Sequence, residues 1–259
     1  MKNKDSFLKC LLVIFLMCIP GLLVSFRELI YRGKDVFFNY YNFNLNYYSA
    51  LSWSIQAFQF SIPILIIIYL SREAFYDYGF NKISIKESLK SFLRLLGLTL
   101  LSSLIFGIIS LVIIMFYKGF NYETMYNLIQ KEENTSTIIL VNILPIMLRA
   151  FTEELCFRSF LYNNLRKIIN GKWICIIVVN LLFAIGHIYQ GIMGVAGAFI
   201  IGIVFSIEFQ KHNNIYTISI FHGLRNLLTF FIRSPEFKKQ VQQKPGKVFC
   251  NPSTSLAYY

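Results

Sequence analysis

Charge is scarce in this chain, and what there is leans one way. Asp, Glu, Lys and Arg make up 15% of the 259 residues, against 56% hydrophobic residues. That balance lies outside the usual range for soluble domains and makes lipid the expected solvent. Acidic residues number 13 against 25 Lys and Arg, a formal net charge of +12. The basic residues are scattered between apolar runs and form no single stripe or arm, which argues against a nucleic-acid partner. The excess reads instead as the positive charge that membrane proteins keep on cytoplasmic loops. The cysteines (Cys10, Cys18, Cys156, Cys175 and Cys250) are odd in number and share no CxxC spacing, and four lie in apolar stretches. Neither a disulfide framework nor a metal site follows from them. No HExxH string is present, which removes the usual zinc-protease signature, and no serine sits in a Gly-x-Ser elbow. His187, His222 and Glu153 could still meet around a metal in space, but without a recognisable spacing. The expectation is therefore no metal and no organic cofactor.

What the chain has in quantity is apolar length. A membrane helix needs roughly 20 mostly apolar residues, and such stretches fall near 7–26, 48–70, 91–117, 137–161, 172–188, 191–209 and 214–232. They predict an all-α, polytopic transmembrane bundle of about seven helices, within a range of six to eight. The chain divides into N-terminal transmembrane helices over 1–136, a second helical group over 137–232 that holds the chemistry, and a polar tail over 233–259 read as mobile. The first stretch follows Lys2, Lys4 and Lys9 as a signal peptide would. No small-x-small cleavage site comes after Val24, so an uncleaved anchor is expected.

The N-terminal lysines and segments 71–90 and 162–172 are basic, which puts the N-terminus in the cytoplasm. Seven spans then send the basic tail outside, against the same rule. The segment 27–47 is crowded with Tyr and Phe, an interfacial belt by composition. Gly194, Ala198 and Gly202 stand four apart, a small-residue face for close helix packing. Pro145 should kink its helix or mark where it begins.

Polar groups stand out in the apolar C-terminal half. Arg149 precedes Thr152-Glu153-Glu154-Leu155-Cys156-Phe157-Arg158 by one turn, and an ionisable group in a membrane helix costs several kcal/mol unless paired or hydrated. A plain alternative is that Arg149 with Glu153 and Glu154 with Arg158 are two i,i+4 pairs on a helix end that protrudes into water. Of the three histidines, His187 follows Phe183 by one turn in NLLFAIGH, and His222 precedes Asn226 by one turn in IFHGLRN. His212 sits beside Lys211 in a short polar stretch and reads as solvated. A carboxylate and an imidazole converging on one water can act as a general base, which makes hydrolysis the natural reaction class. His222 and Asn226 share a helical face and can both donate to an oxyanion. Glu154 and Arg158 share another, leaving Glu153, about 100° round, to point elsewhere.

The order EExxxR (Glu153, Glu154, Arg158), FxxxH (Phe183, His187) and HxxxN (His222, Asn226) resembles the CPBP family of intramembrane glutamic proteases, which includes CAAX prenyl endopeptidases and bacteriocin-processing or immunity proteins. The similarity covers roughly residues 137–232. It implies that Glu153 and His187 activate the attacking water, that His222 and Asn226 stabilise the oxyanion, and that Glu154 and Arg158 give structural support. It further implies a hydrophobic or lipid-modified peptide as substrate, with membrane lipid as the surroundings. In a bacterial cell membrane, processing of a small secreted peptide, or immunity to one, is a better expectation than a prenylated protein. The contrasting reading is a non-catalytic membrane immunity or peptide-binding protein that uses the polar cavity as a pocket. A transporter is a third, but its usual marks, paired broken helices in two similar halves, are not evident.

Overall fold

The computed structural model describes residues 2–19, 23, 30, 47–118 and 136–232. The aromatic segment 27–47 therefore falls almost wholly outside the described residues, as do the acidic stretch before 136 and the tail from 233. Among the described residues the chain is mostly helical, with short connections and no strands. Its helices are α1 (Lys2–Val13), α2 (Tyr47–Leu70), α3 (Ile85–Lys118), α4 (Ser136–Glu154), α5 (Tyr162–Ile168), α6 (Lys172–Ile185), α7 (Gly191–His212) and α8 (Ile215–Ile232). A π-helical segment, Leu155–Leu161, joins α4 to α5, so that 136–168 is one continuous rod. The described residues thus form seven rods, as the apolar runs predict. Pro63 and Pro145 lie inside α2 and α4 without ending them.

The faces of these rods are inverted relative to a soluble protein. On α3 the buried positions among the described side chains are Ser91, Leu95 and Thr99, a single stripe at four-residue spacing, while Leu89, Leu93, Leu100 and Leu104 are each more than half exposed. An apolar outer face with small or polar residues turned inward is what lipid, not water, selects. Residues Ala50–Leu70, Ile85–Ile109 and Gly194–His212 are each long and apolar enough to cross a membrane, and the chain is a membrane protein. α4 lies at the centre, packed on α2 and α8. The approach to α8 is close because Gly223 faces Met147: a Cβ at 223 would stand 2.3 Å from Met147 Sδ and 3.4 Å from its Cα.

One end of the bundle is stitched together by the connection between α2 and α3. Asn81 Nδ2 donates to Asn213 O at 2.6 Å, Asn163 Nδ2 to Asp77 O at 2.8 Å, and Ile215 N to Gly79 O at 2.9 Å. Gly79 adopts φ +85°, and a Cβ there would also strike the Phe209 ring at 2.5 Å, so both conformation and space require glycine. In the same region Glu73 receives Lys9 at 3.0 Å, Lys167 at 2.9 Å and the Tyr78 hydroxyl. Burial opposes the charge on Glu73, but these three donors outweigh it and hold the carboxyl at about 2. Burial and that carboxylate push the Tyr78 phenol above its ordinary range.

Candidate active site

The rod 136–168 brings Arg149, Glu153, Glu154 and Arg158 to the middle of the bundle. Where α4 passes into the π-helical segment, all of Leu155–Leu161 is buried. π-turns inside α-helices are rare and recur at functional sites. The two ion pairs foreseen from spacing both form: Arg149 Nε lies 3.0 Å from Glu153 Oε1, and Arg158 Nε lies 3.4 Å from Glu154 Oε2. The latter pair has no solvent exposure at either side chain. A helix end protruding into water is thus not the setting of Glu154 and Arg158.

His222, on α8, closes the cluster. Its Nδ1 is 2.7 Å from Glu154 Oε1, and its Nε2 is 3.8 Å from Glu153 Oε2. A carboxylate oxygen accepts, so the Nδ1 atom carries the proton and points it at Glu154. The two glutamates were expected to diverge around their helix, with Glu154 committed to Arg158. Instead one imidazole reaches both, because its nitrogens lie on opposite edges of the ring. Glu154 Oε1 serves two donors, His222 Nδ1 and Arg158 Nη1, the latter at 3.4 Å.

His187 sits just beyond the end of α6, in the turn before the short 3₁₀ segment Ile188–Gln190. Its Nδ1 is 2.9 Å from Phe183 O, which only accepts, so the proton is on Nδ1 and the Nε2 lone pair is the ring's acceptor. Its ring lies 4.6 Å from that of Phe183. Glu153 lies within electrostatic reach of both His187 and His222. The 14 residues of α6 give it a length of about 21 Å, short of the roughly 30 Å of hydrocarbon a span must cross. Irregular backbone such as the turn carrying His187 is tolerated at membrane depth only inside protein or beside a water-filled cavity. Asn226 is half-buried one turn after His222 on α8, and its amide makes no hydrogen bond among the described residues.

Arg158 is held by more than Glu154. Its guanidinium lies 4.2 Å above the Phe183 ring and 5.8 Å from that of Phe205, and its Nη2 donates to Asn180 Oδ1 at 3.1 Å. Asn180 escapes the motif reading, although it is the one amide in the apolar run of α6, and that isolation is the signal by which sequence could have found it. Gly202 belongs to the face read as packing, but its neighbours are polar: a Cβ there would meet Asn180 Oδ1 at 2.4 Å and Arg158 Nη2 at 2.8 Å. His212 is not simply solvated; it ends α7 with Nε2 3.3 Å from Glu208. Glu208 is itself buried and receives Ser91 Oγ at 2.6 Å and Arg94 Nη1 at 3.3 Å from α3. Among the described residues no group of three His, Cys, Asp or Glu side chains is arranged to hold a metal ion.

Fold and cluster together define a helical membrane protein with two glutamates and a histidine in direct contact inside its bundle. Residues 135–228 match a family model described as Rce1-like, type II CAAX prenyl endopeptidase, a match that supports the CPBP/CAAX protease family. No curated protein and no solved structure matches the chain.

Proposed function

We propose that the protein is an intramembrane endopeptidase that hydrolyses a peptide bond in a hydrophobic or lipid-modified peptide. The observation that carries this reading is the meeting of Glu153 with the buried Glu154 and His222 within the segment that matches the protease family. Glu153, oriented by Arg149, takes a proton from water while the Nε2 lone pair of His187 helps align that water. The water oxygen bonds to the carbonyl carbon, and negative charge collects on the carbonyl oxygen. Asn226 Nδ2 and His222 stabilise that charge. With its Nδ1–H on Glu154 Oε1, His222 donates to the oxyanion from Nε2 when the ring carries both protons. The intermediate collapses when the leaving amine takes the proton from Glu153. Arg158 holds Glu154 in place. The short α6 and its turn at membrane depth support a wet cavity reached from within the bilayer, as hydrolysis of a hydrophobic peptide needs. The basic residues Arg72, Lys82, Lys86, Arg166, Lys172 and Lys211 gather at the end of the bundle that α2 to α3 stitches together, which the positive-inside rule assigns to the cytoplasm.

The test is cleavage of a membrane-peptide library by the detergent-purified protein, comparing wild type with Glu153→Gln and His187→Ala, with a chelator in parallel. Cleavage that survives chelation and vanishes in both variants supports the glutamate-activated water. Cleavage lost on chelation overturns it. Peptide binding without cleavage, equal in all three proteins, replaces it with the immunity or peptide-binding reading.

A further inference from the structure

Asn180 is fully buried on α6, and the direction of its amide is fixed by its neighbours. Nδ2 donates to Ile176 O at 2.8 Å and to Ser206 Oγ, on α7, also at 2.8 Å. With both amide protons committed, Oδ1 is the atom left for Arg158, and it accepts from Nη2 at 3.1 Å. A reversed amide would turn its NH₂ toward a guanidinium, donor against donor. Gly202 guards the arrangement, because any side chain there would drive into both Asn180 Oδ1 and Arg158 Nη2. The other edge of the same guanidinium faces Glu154, whose Oε1 takes the His222 proton at 2.7 Å. A single run of contacts therefore leads from Ser206 through Asn180, Arg158 and Glu154 to the imidazole.

We propose that Asn180 is a positioning residue that acts through Arg158 and Glu154 to keep the proton of His222 on Nδ1 and its Nε2 turned toward Glu153. The catalytic consequence rests on the protease reading above; the tautomer consequence does not. Arg158 has no solvent to turn to, so its orientation is set by the few groups that accept from it. Without Asn180 Oδ1 the guanidinium is free to rotate toward other acceptors, and the carboxylate it braces loses its fixed direction. The ring then has no single partner to decide which nitrogen is protonated.

The experiment is ¹⁵N NMR of ring-labelled histidine in the full chain, across pH. With three histidines in the sequence, His222 is assigned by substituting His187 and His212 in turn. In wild type the neutral His222 ring is expected to carry its proton on Nδ1. Asn180→Leu, close in size and without hydrogen bonds, is expected to show a second population with the proton on Nε2. Ser206→Ala, which removes only the outer anchor, should show a smaller shift in the same direction and provides the reading if Asn180→Leu does not fold. In parallel, kcat on a peptide cleaved by wild type is expected to fall roughly tenfold to a hundredfold, part of the 10²–10⁴ a positioned acid–base group contributes, with KM little changed and the pH–rate profile displaced. A neutral His222 ring with its proton on Nε2 in wild type, or a His222 spectrum unchanged in both variants, overturns the proposal. A tautomer change in a protein that cleaves nothing leaves the positioning role standing and defeats the protease reading instead.

Discussion

Glu154 and His222 stand 68 positions apart in the chain and meet at 2.7 Å in the middle of the bundle, joining α4 to α8. This contact makes Glu154 more than a brace for Arg158, since the same oxygen fixes the imidazole. Glu154→Gln keeps the shape but leaves the Arg158 charge buried and uncompensated, which costs about 3–5 kcal/mol. The expected outcome is a loss of peptide cleavage as deep as that of Glu153→Gln, together with a clearly lower thermal midpoint. Cleavage near the wild-type rate in a folded Glu154→Gln protein would refute the coupling.

Glu153→Gln should separate from it in stability. The partner of Glu153, Arg149, keeps about a third of its side chain exposed and also stacks on Trp53 at 5.0 Å. Its charge can be solvated when the carboxylate is gone, so the stability change is about 1 kcal/mol or less. Thermal denaturation in detergent, read beside cleavage, checks that the two glutamates differ in this way.

Asn226→Ala removes one proposed oxyanion donor without disturbing a hydrogen bond among the described residues. A fall in kcat of about 10²–10³, with thermal midpoint and peptide binding preserved, is the expected result. Lowered binding with kcat unchanged would move Asn226 from the transition state to the substrate pocket.

Acid should release the N-terminal helix before it dissolves the bundle. The Glu73 carboxyl sits at about 2 in the folded chain against an ordinary 4.5. A depressed carboxyl contributes stability that is fully present above 4.5 and lost as the pH falls toward 2. Labelling of Lys9 with an amine reagent should therefore rise between about pH 4.5 and 2, trapped by brief acid exposure followed by neutral labelling on ice. Glu73→Gln should show high labelling already at neutral pH.

The close approach of α4 and α8 gives a coupled pair. Gly223→Ala forces Met147 aside and is expected to cost about 1–3 kcal/mol, with loss of cleavage because His222 is the preceding residue. Met147→Ala in the same chain should restore part of both. Equal losses in the single and double variants would show that the two side chains do not share that space.

The helices were legible because lipid calls for long apolar runs: the chain offers seven of them and the described residues form seven rods, three of which are long and apolar enough to cross a membrane. Glu153, Glu154, Arg158, His187 and His222 were legible for the converse reason: ionisable groups are few in such a chain, so each one stands out. What spacing did not reveal was their convergence. Helical geometry says that Glu153 and Glu154 point apart, and only the arrival of α8 shows that one ring spans the difference. Asn180 was passed over because a single amide in an apolar helix carries no charge to draw notice, and Gly202 because a small residue in a membrane helix has the ready explanation of packing. The Glu208 and His212 pair was missed since its other members, Ser91 and Arg94, lie more than a hundred residues away on α3.

The cluster's arrangement also bears on how hydrolysis responds to an electrical field. Arg149 and Arg158 face Glu153 and Glu154, two positive charges against two negative. In the proposed reaction water gives its proton to Glu153 and the carbonyl oxygen becomes negative, so the total is unchanged and charge moves only a few ångströms. Moving one elementary charge across the whole membrane is worth about 2.3 kcal/mol per 100 mV, so a tenth of that path is worth about 0.2 kcal/mol. Turnover by such a site should be nearly indifferent to membrane voltage, and a cell could energise or depolarise its membrane without altering the rate at which the bond is cut.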